Sequence, residues 1–285
     1  MIGAIIQARS SSRRFPNKVL KELPMNSGIS VLAQIIRRVK LCKRVEKIIV
    51  ATTDEKEDEA IVEIAQKEGV DFFKGDLNDV LSRFYNAAAR FGLDHVVRIT
   101  GDCPCIDPTV IDELVSLHLS QGGDYSSNVL ERSFIHGLDT EIVTFPALKE
   151  AFLNATEQYD REHVMPYFYK SHPDSFKLVS LKVATTDPNY APDIRVTLDT
   201  EDDYITLAAL YDFLFKPGHA FNSHEIIQCF SEHPWLRLIN KAVLHKKKIN
   251  TLENEFEEAV KLLDLQGLNR VKEKILTYKA YLVSP

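Results

Sequence analysis

Cysteine is scarce in this sequence, and long apolar runs are missing. Four cysteines (Cys42, Cys103, Cys105, Cys229) in 285 residues are too few to staple a chain of this length, which excludes a disulfide framework. Cys103 and Cys105 flank Pro104, but no second cysteine or histidine pair sits at zinc spacing, so a structural zinc site is not expected. A membrane helix needs about 20 consecutive apolar residues, and the run Ile2 to Ile6 falls far short. Arg9, Arg13 and Arg14 follow that run rather than precede it, which argues against a secretory leader. A cytoplasmic protein with reduced thiols is expected, with no membrane partner. A basic excess is also missing: the net charge of −6 disfavours a nucleic-acid partner. Neither the Gly-x-Gly-x-x-Gly of dinucleotide folds nor the Gly-Lys-Ser/Thr of phosphate-loop ATPases follows the first apolar run. There is no internal repeat and no low-complexity stretch.

What is present is an alternation of patterns. Hydrophobic residues make up 45%, ample for the core of one large domain or two smaller ones. Ile2 to Ala8 predicts a buried strand. Residues 29–42 place Val31, Leu32, Ile35, Ile36 and Val39 at helical spacing, and Val45 to Ala51 reads as a second strand. Thr53 or Asp54 stands where it would cap an acidic helix reaching about Glu68. A short strand at 70–73, a helix at 78–91, a strand at 95–100 and a helix opened by Pro108 follow. This order predicts an α/β fold, a mostly parallel Rossmann-like sheet with helices on both faces. Beyond Asp124 the pattern loosens. Extended pieces at 125–129, 141–145, 176–184 and 194–198 alternate with helices near 146–154 and 161–171, predicting an antiparallel extension that walls a substrate site. A helix is expected over 201–215, a break at Lys216 to His219, and further helices near 224–230, 252–263 and 267–278. The expected division is a catalytic domain at 1–218 and a C-terminal helical appendage at 219–285.

Charge is unevenly distributed. Residues 1–47 carry eleven Lys/Arg against Glu22 and Glu46, a balance of +9 that leaves −15 for the remainder. Arg37, Arg38, Lys40, Lys43, Arg44 and Lys47 read as a solvated helix face. The loop Ala8 to Lys18 directly follows the first strand. It combines Arg9, Arg13 and Lys18 with the hydroxyls of Ser10, Ser11 and Ser12 and a run of backbone N–H groups. A triphosphate needs that combination of donors and cations, and Pro16 fixes the backbone ahead of Lys18. A plain surface loop also carries arginines and serines, but not by preference at the carboxyl end of a strand, where α/β sheets gather ligands.

Two aspartates complete the pattern. Asp102 ends a strand after Gly101, which suits a Mg²⁺ ligand, although Gly-Asp and Asp-Pro sequences are also ordinary turn formulas. Asp199 ends the extended piece Val196 to Asp199. Thr200 and Asp203 behind it resemble a capping box, a structural reading that leaves Asp199 on the strand side of the cap. One carboxylate from each segment makes a Mg²⁺ site, with water and phosphate as the other ligands.

Together these segments resemble the cytidylyltransferase family that activates acidic sugars, which includes acylneuraminate and 3-deoxy-manno-octulosonate cytidylyltransferases. They are most like its branch of spore coat polysaccharide biosynthesis protein F. The resemblance runs through Ile5 to Leu20, Val50 to Thr53, Asp79 to Arg83, Val97 to Pro104, Gly137 to Ile142, Arg161 to Val164 and Arg195 to Asp199. It implies that Ala8, Arg9, Ser11, Ser12, Arg13 and Lys18 grip the triphosphate of CTP, with Arg9, Lys18 and Asp102 acting in catalysis. Asp102 and Asp199 would hold Mg²⁺, and Arg83 lies in the segment bordering the base. Asp139, Glu141, Arg161 and His163 would face the sugar acceptor, and the enzyme would be a homodimer. Ser11 and Asn17 stand where glycines are common; of the two, Asn tolerates positive φ better than most residues.

The expected reaction is attack of an acceptor oxygen on the α-phosphorus with loss of pyrophosphate. His163 is the candidate base if one is needed, against a structural reading beside Arg161 and Glu162. Three other readings compete. One is a sugar-phosphate nucleotidyltransferase using another nucleoside triphosphate, and one is a glycosyltransferase of similar architecture. The third is a binding or assembly protein on a decayed transferase scaffold, for which the C-terminal helices would supply partner contacts.

Overall fold

The computed structural model of the chain describes residues 1–12, 14–241, 243 and 252–282. Two units are distinguished, Met1–Ala242 and Val243–Pro285. The first is built on a sheet of β1 (Ile2–Gln7), β2 (Lys47–Thr53), β3 (Asp71–Gly75), β4 (His95–Thr100), β5 (Tyr125–Ser127), β6 (Glu141–Thr144) and β7 (Leu178–Ser180), in the order β3-β2-β1-β4-β6-β5-β7. β1 pairs in parallel with β2 and β4, and β2 with β3. β6 runs antiparallel to both β4 and β5, while β5 and β7 are parallel. The expected mostly parallel sheet is present, with its antiparallel extension resting on the reversed strand β6.

Alternation along the strands assigns the two faces. Ile6, Val50, Val97 and Ile99 pack in one apolar cluster, and Ile5, Ile49, Ala51 and Val96 in the other. The first face is covered by α1 (Val31–Val39), α2 (Glu59–Lys67), α4 (Pro108–Gln121) and α7 (Glu201–Leu214), the second by α3 (Val80–Phe91), α5 (Phe145–Asn154) and residues following α6 (Gln158–His163). Helix starts follow side-chain chemistry. Ser30, Asp79, Asp107 and Thr144 each accept a backbone N–H from the first turn of the helix they open, satisfying donors that have no partner inside the helix. Thr200 and Asp203 form the anticipated capping box at α7.

Four differences from the sequence reading are informative. The acidic helix is not capped by Thr53 or Asp54: a 3₁₀ turn at Lys56–Asp58 intervenes and α2 starts at Glu59. Residues 194–198 form no strand but lie along His136, whose N–H donates to Ile194 O while Val196 N–H donates to His136 O. The helix expected over 161–171 breaks at Val164, which has φ 66°, and resumes as a wide turn at Tyr167–Ser171. Finally, the expected boundary at 218/219 moves to 242/243. α8 (Ser223–Glu232) and α9 (Leu236–Ile239) belong to the first unit, because Phe221, Ile226, Phe230 and Leu236 lie in its main core. Phe221 O also accepts both terminal nitrogens of buried Arg38. The second unit contains α10 (Leu252–Leu265) and α11 (Asn269–Leu282), joined through Gly267. Among the described residues no helix is long and apolar enough to cross a membrane.

A buried polar pair spans the sheet and α4. His118 is fully buried, its Nδ1 2.7 Å from Ser126 Oγ and its Nε2 3.1 Å from His95 Nδ1. Burial, and then the neighbouring His95, push the His118 pKa down from 6.5 to about 4. The unfolded chain therefore binds a proton that the folded chain refuses, so stability falls as pH drops from 6.5 towards about 4. Between pH 7 and pH 5 the loss from this one group is about 2 kcal/mol. Urea unfolding at the two pH values should show it, and His118→Asn should flatten the dependence.

The shifted boundary makes a second prediction. Removing everything after residue 218 exposes the core that Phe221, Ile226 and Phe230 cover and strands Arg38, so an insoluble or non-cooperatively melting product is expected. A chain ending at residue 242 should keep a single sharp thermal transition.

Candidate active site

Strand order reverses between β1 and β4, and the loops leaving both strands meet at their carboxyl ends, where α/β sheets form a ligand crevice. The loop after β1 is shaped by its own backbone: Ser12 and Asn17 both donate N–H to Ser10 O, at 2.8 and 3.0 Å. Asn17 takes the left-handed conformation, φ 56°, that its short polar side chain tolerates, and a 3₁₀ turn at Lys18–Leu20 follows. Gly101 closes the second loop on the first. Its N–H donates to Gln7 O at 2.8 Å, and a Cβ there would lie 2.8 Å from that same oxygen. Only glycine lets the two strand ends approach this closely.

That approach brings Lys18 and Asp102 together. Lys18 Nζ donates to Asp102 Oδ2 at 2.9 Å, to Asp199 Oδ1 at 3.0 Å and to Leu198 O at 2.8 Å. Asp199 arrives because Leu198 N–H and Thr197 Oγ donate to Asp102 O. Gly137 admits the 195–197 backbone; at φ 117° a Cβ there would lie 2.7 Å from Thr197 N. Burial alone would discharge Lys18, but Asp102 and Asp199 outweigh it and raise its pKa above the usual lysine value. Burial likewise works against ionised Asp102, and Lys18 reverses it, holding the carboxyl below its ordinary range. For Asp199, burial and Asp102 both oppose ionisation, and Lys18 with Arg14 overcomes them. The cluster is a pair of carboxylates around one cation. Two hard oxygen donors converging on a positive centre suit a divalent ion that keeps water and phosphate as its other ligands.

The remaining expected residues divide. Arg9, Ser11, Ser12 and Ala8 lie in the same loop, and Arg13 lies outside the described residues. Arg83, on α3, is 1% exposed, and none of its three guanidinium nitrogens has a hydrogen-bond partner among the described residues. Burial, and then nearby Arg9, lower its pKa to about 10. A buried unpaired cation is costly, and acceptor atoms of a ligand would relieve that cost. Asp139 accepts both terminal nitrogens of Arg132 and lies 3.9 Å from His136, whose Nδ1 is 3.2 Å from Arg195. Glu141 is paired with Arg98 and accepts Tyr125 OH at 2.6 Å. Arg161 donates to Asp79, the cap of α3, and to Phe152 O and Ala155 O. His163 is exposed at the end of α6, edge-on to Tyr159, in the same helix as Arg161 rather than beside Lys18.

Three residues were missed from the sequence. Arg14 reaches Asp199 Oδ1 at 3.0 Å, and its place in the cationic loop was the available signal. Arg195 donates to Asp199 Oδ2 at 3.0 Å while gripping fully buried Asp203 through Nε and Nη2. Asp58 had no sequence signal. Its Oδ1 accepts Ser10 N–H and Oγ at 2.7 and 2.6 Å, and its Oδ2 accepts the hydroxyls of Thr52 and Thr53. It anchors the loop to the end of β2.

A family model described as cytidylyltransferase matches residues 3–227. The chain belongs to the cytidylyltransferase family. It is a nucleotidyltransferase enzyme, and its relatives include synthetases of CMP-sugars. An uncharacterized protein of Methanocaldococcus jannaschii is 40% identical over 250 residues, covering 86% of this chain and 96% of the relative. Spore coat polysaccharide biosynthesis protein SpsF of Bacillus subtilis is 31% identical over 234 residues, covering 81% and 94%. A shorter match, 30% over 173 residues with 60% and 65% covered, is to 8-amino-3,8-dideoxy-manno-octulosonate cytidylyltransferase of Shewanella frigidimarina. The solved structure of a cytidylyltransferase from Leptospira borgpetersenii superposes with a TM-score of 0.77 at 32% identity, covering 86% of this chain and 99% of that one.

Asp58 makes the loop testable in this cytidylyltransferase. Asp58→Ala leaves Ser10, Thr52 and Thr53 facing an empty buried position, and a loss of about 2–4 kcal/mol is expected. Chemical denaturation of the variant and the parent measures it.

Proposed function

We propose that this cytidylyltransferase moves CMP from CTP to an acidic sugar of the octulosonic or nonulosonic type, releasing pyrophosphate. It would use Mg²⁺ and work in the cytoplasm, as a homodimer, in the synthesis of surface polysaccharide or glycoconjugate. The observation that carries the reading is the convergence of Asp102 and Asp199 on Lys18, beside a cationic loop at the strand-order reversal. The family match supports the donor, and the relatives named for octulosonate and for spore coat polysaccharide support the acceptor class.

In this reading an acceptor oxygen attacks the α-phosphorus in line, forms the new P–O bond, and pyrophosphate departs with the bridging oxygen. Arg9, Arg13, Ser11, Ser12 and the N–H groups from Ala8 onward hold the triphosphate, and Lys18 and Arg9 offset charge growing on the transferring and leaving phosphates. Mg²⁺ on Asp102 and Asp199 would polarise the α-phosphate and ease loss of the acceptor's proton. Arg83 offers donors only, matching acceptor atoms on the nucleotide. Asp139 and Glu141, held by Arg132 and Arg98, border the acceptor.

Pyrophosphate release from each of the four triphosphates, with a panel of ulosonic acids, tests the proposal: CTP alone should support turnover. Release from none of them, with any acceptor, would refute it. In thermal-shift screening CTP at about 100 times its Kd should add roughly 2.7 kcal/mol. Lys18→Ala should lower kcat by on the order of 10²-fold, as loss of a transition-state contact does. A near-normal rate would remove Lys18 from the chemistry. Light scattering checks the homodimer.

A further inference from the structure

A lysine ammonium has three N–H donors and no acceptor. In Lys18 the three bonds end on Asp102 Oδ2, Asp199 Oδ1 and Leu198 O, with the side chain 13% exposed. No donor is left for a phosphate, so Lys18 cannot grip a triphosphate from where it stands. Its nitrogen also fills the position between the two carboxylates where a metal would bind.

We propose that Lys18 is the resident cation of this site, and that it gives way to a preformed metal–triphosphate complex but not to a bare divalent ion. The inference rests on reading Asp102 and Asp199 as the metal pair. Charge supports it. The two carboxylates already face Lys18, Arg14 and Arg195, so a lone dication meets no net negative charge. A triphosphate brings its own negative charge and draws Lys18 and Arg14 towards itself. Rigidity supports it too. Asp199 is fixed by Arg195 on Oδ2 and by its own N–H on Asp203, and Asp102 by Leu198 N–H and Thr197 on its carbonyl. Lys18 sits in the loop on a flexible four-carbon stem. The lysine moves and the carboxylates stay.

Binding of Mn²⁺, followed by loss of its free-ion electron paramagnetic resonance signal, tests this without turnover. The full-length protein is titrated alone and with α,β-methylene CTP, read against an analogue-only control. Lys18→Met and Lys18→Gln are titrated alone, their folding checked by thermal melting. Wild type should hold Mn²⁺ only with the analogue, and both variants should bind Mn²⁺ alone at least tenfold more tightly than wild type alone. The exchange is overturned if wild type binds the bare ion as tightly as it does with the analogue, or if neither variant gains affinity. If the analogue binds by thermal shift but Mn²⁺ never does, the metal reading itself falls and the exchange with it. Asp199→Asn should abolish the variants' gain; its persistence would place the ion elsewhere and overturn the proposal.

Discussion

Two aspartates side by side in a half-buried crevice do not both stay ionised without a cation close to them. Close like charges oppose each other's ionisation, burial adds to the penalty, and the pair is kept charged only by groups of opposite sign within contact distance. Lys18 meets that requirement for both carboxylates, and Arg14 and Arg195 reinforce it at Asp199. Much of the surrounding fold serves this grouping. Gly101 lets the β1 and β4 ends close up, and Gly137 admits the segment that delivers Asp199. The capping box at α7 fixes the Asp203 carboxylate that Arg195 grips. Asn240, immediately after α9, adds a further bond to Asp203 and to Arg195 O. Residues 221–240, which the sequence assigned to an appendage, are thus part of the scaffold behind the site.

The loop after β1 depends on a buried carboxylate of its own. Asp58 gathers donors from Ser10, Thr52 and Thr53, and their hydrogen bonds outweigh burial to hold its carboxyl below the ordinary range. Ser10 is thereby pinned, and its carbonyl in turn receives Ser12 and Asn17. The described part of the loop is held by these internal hydrogen bonds. Arg83 is the opposite case, a buried guanidinium with no hydrogen-bond partner among the described residues, near Arg9 of that loop. The two differ accordingly: Asp58 is balanced by its own donors, whereas Arg83 stands in deficit of acceptors.

Much of the fold was legible from residue order. Apolar runs at β1, β2 and β4 alternating with amphipathic helices were enough to indicate a parallel sheet, since such strands are buried on both faces. The cap formed by Thr200 with Asp203 was legible for the same local reason, whereas the one expected at Thr53 or Asp54 was displaced by a 3₁₀ turn. Arg161 illustrates the limit. Its motif is clear in the sequence, yet whether its guanidinium meets a sugar or the cap of α3 depends on where α6 packs. Asp58 carries no signal in the sequence, because its five donors come from three residues, Ser10, Thr52 and Thr53, that the folded chain brings around it.

By itself the sequence determined the α/β class, the cationic loop after the first strand and the two aspartates at the ends of extended segments, because periodicity, local capping and charge clustering are written between near neighbours. Tertiary structure alone decided that Lys18 lies between those aspartates, that Arg195 and Arg14 hold one of them, that Arg83 is buried without a hydrogen-bond partner among the described residues, and that Phe221, Ile226, Phe230 and Leu236 belong to the core. Each of these is a contact between segments remote in sequence, set by which strands pair and which faces pack, and side-chain identity does not encode that distance.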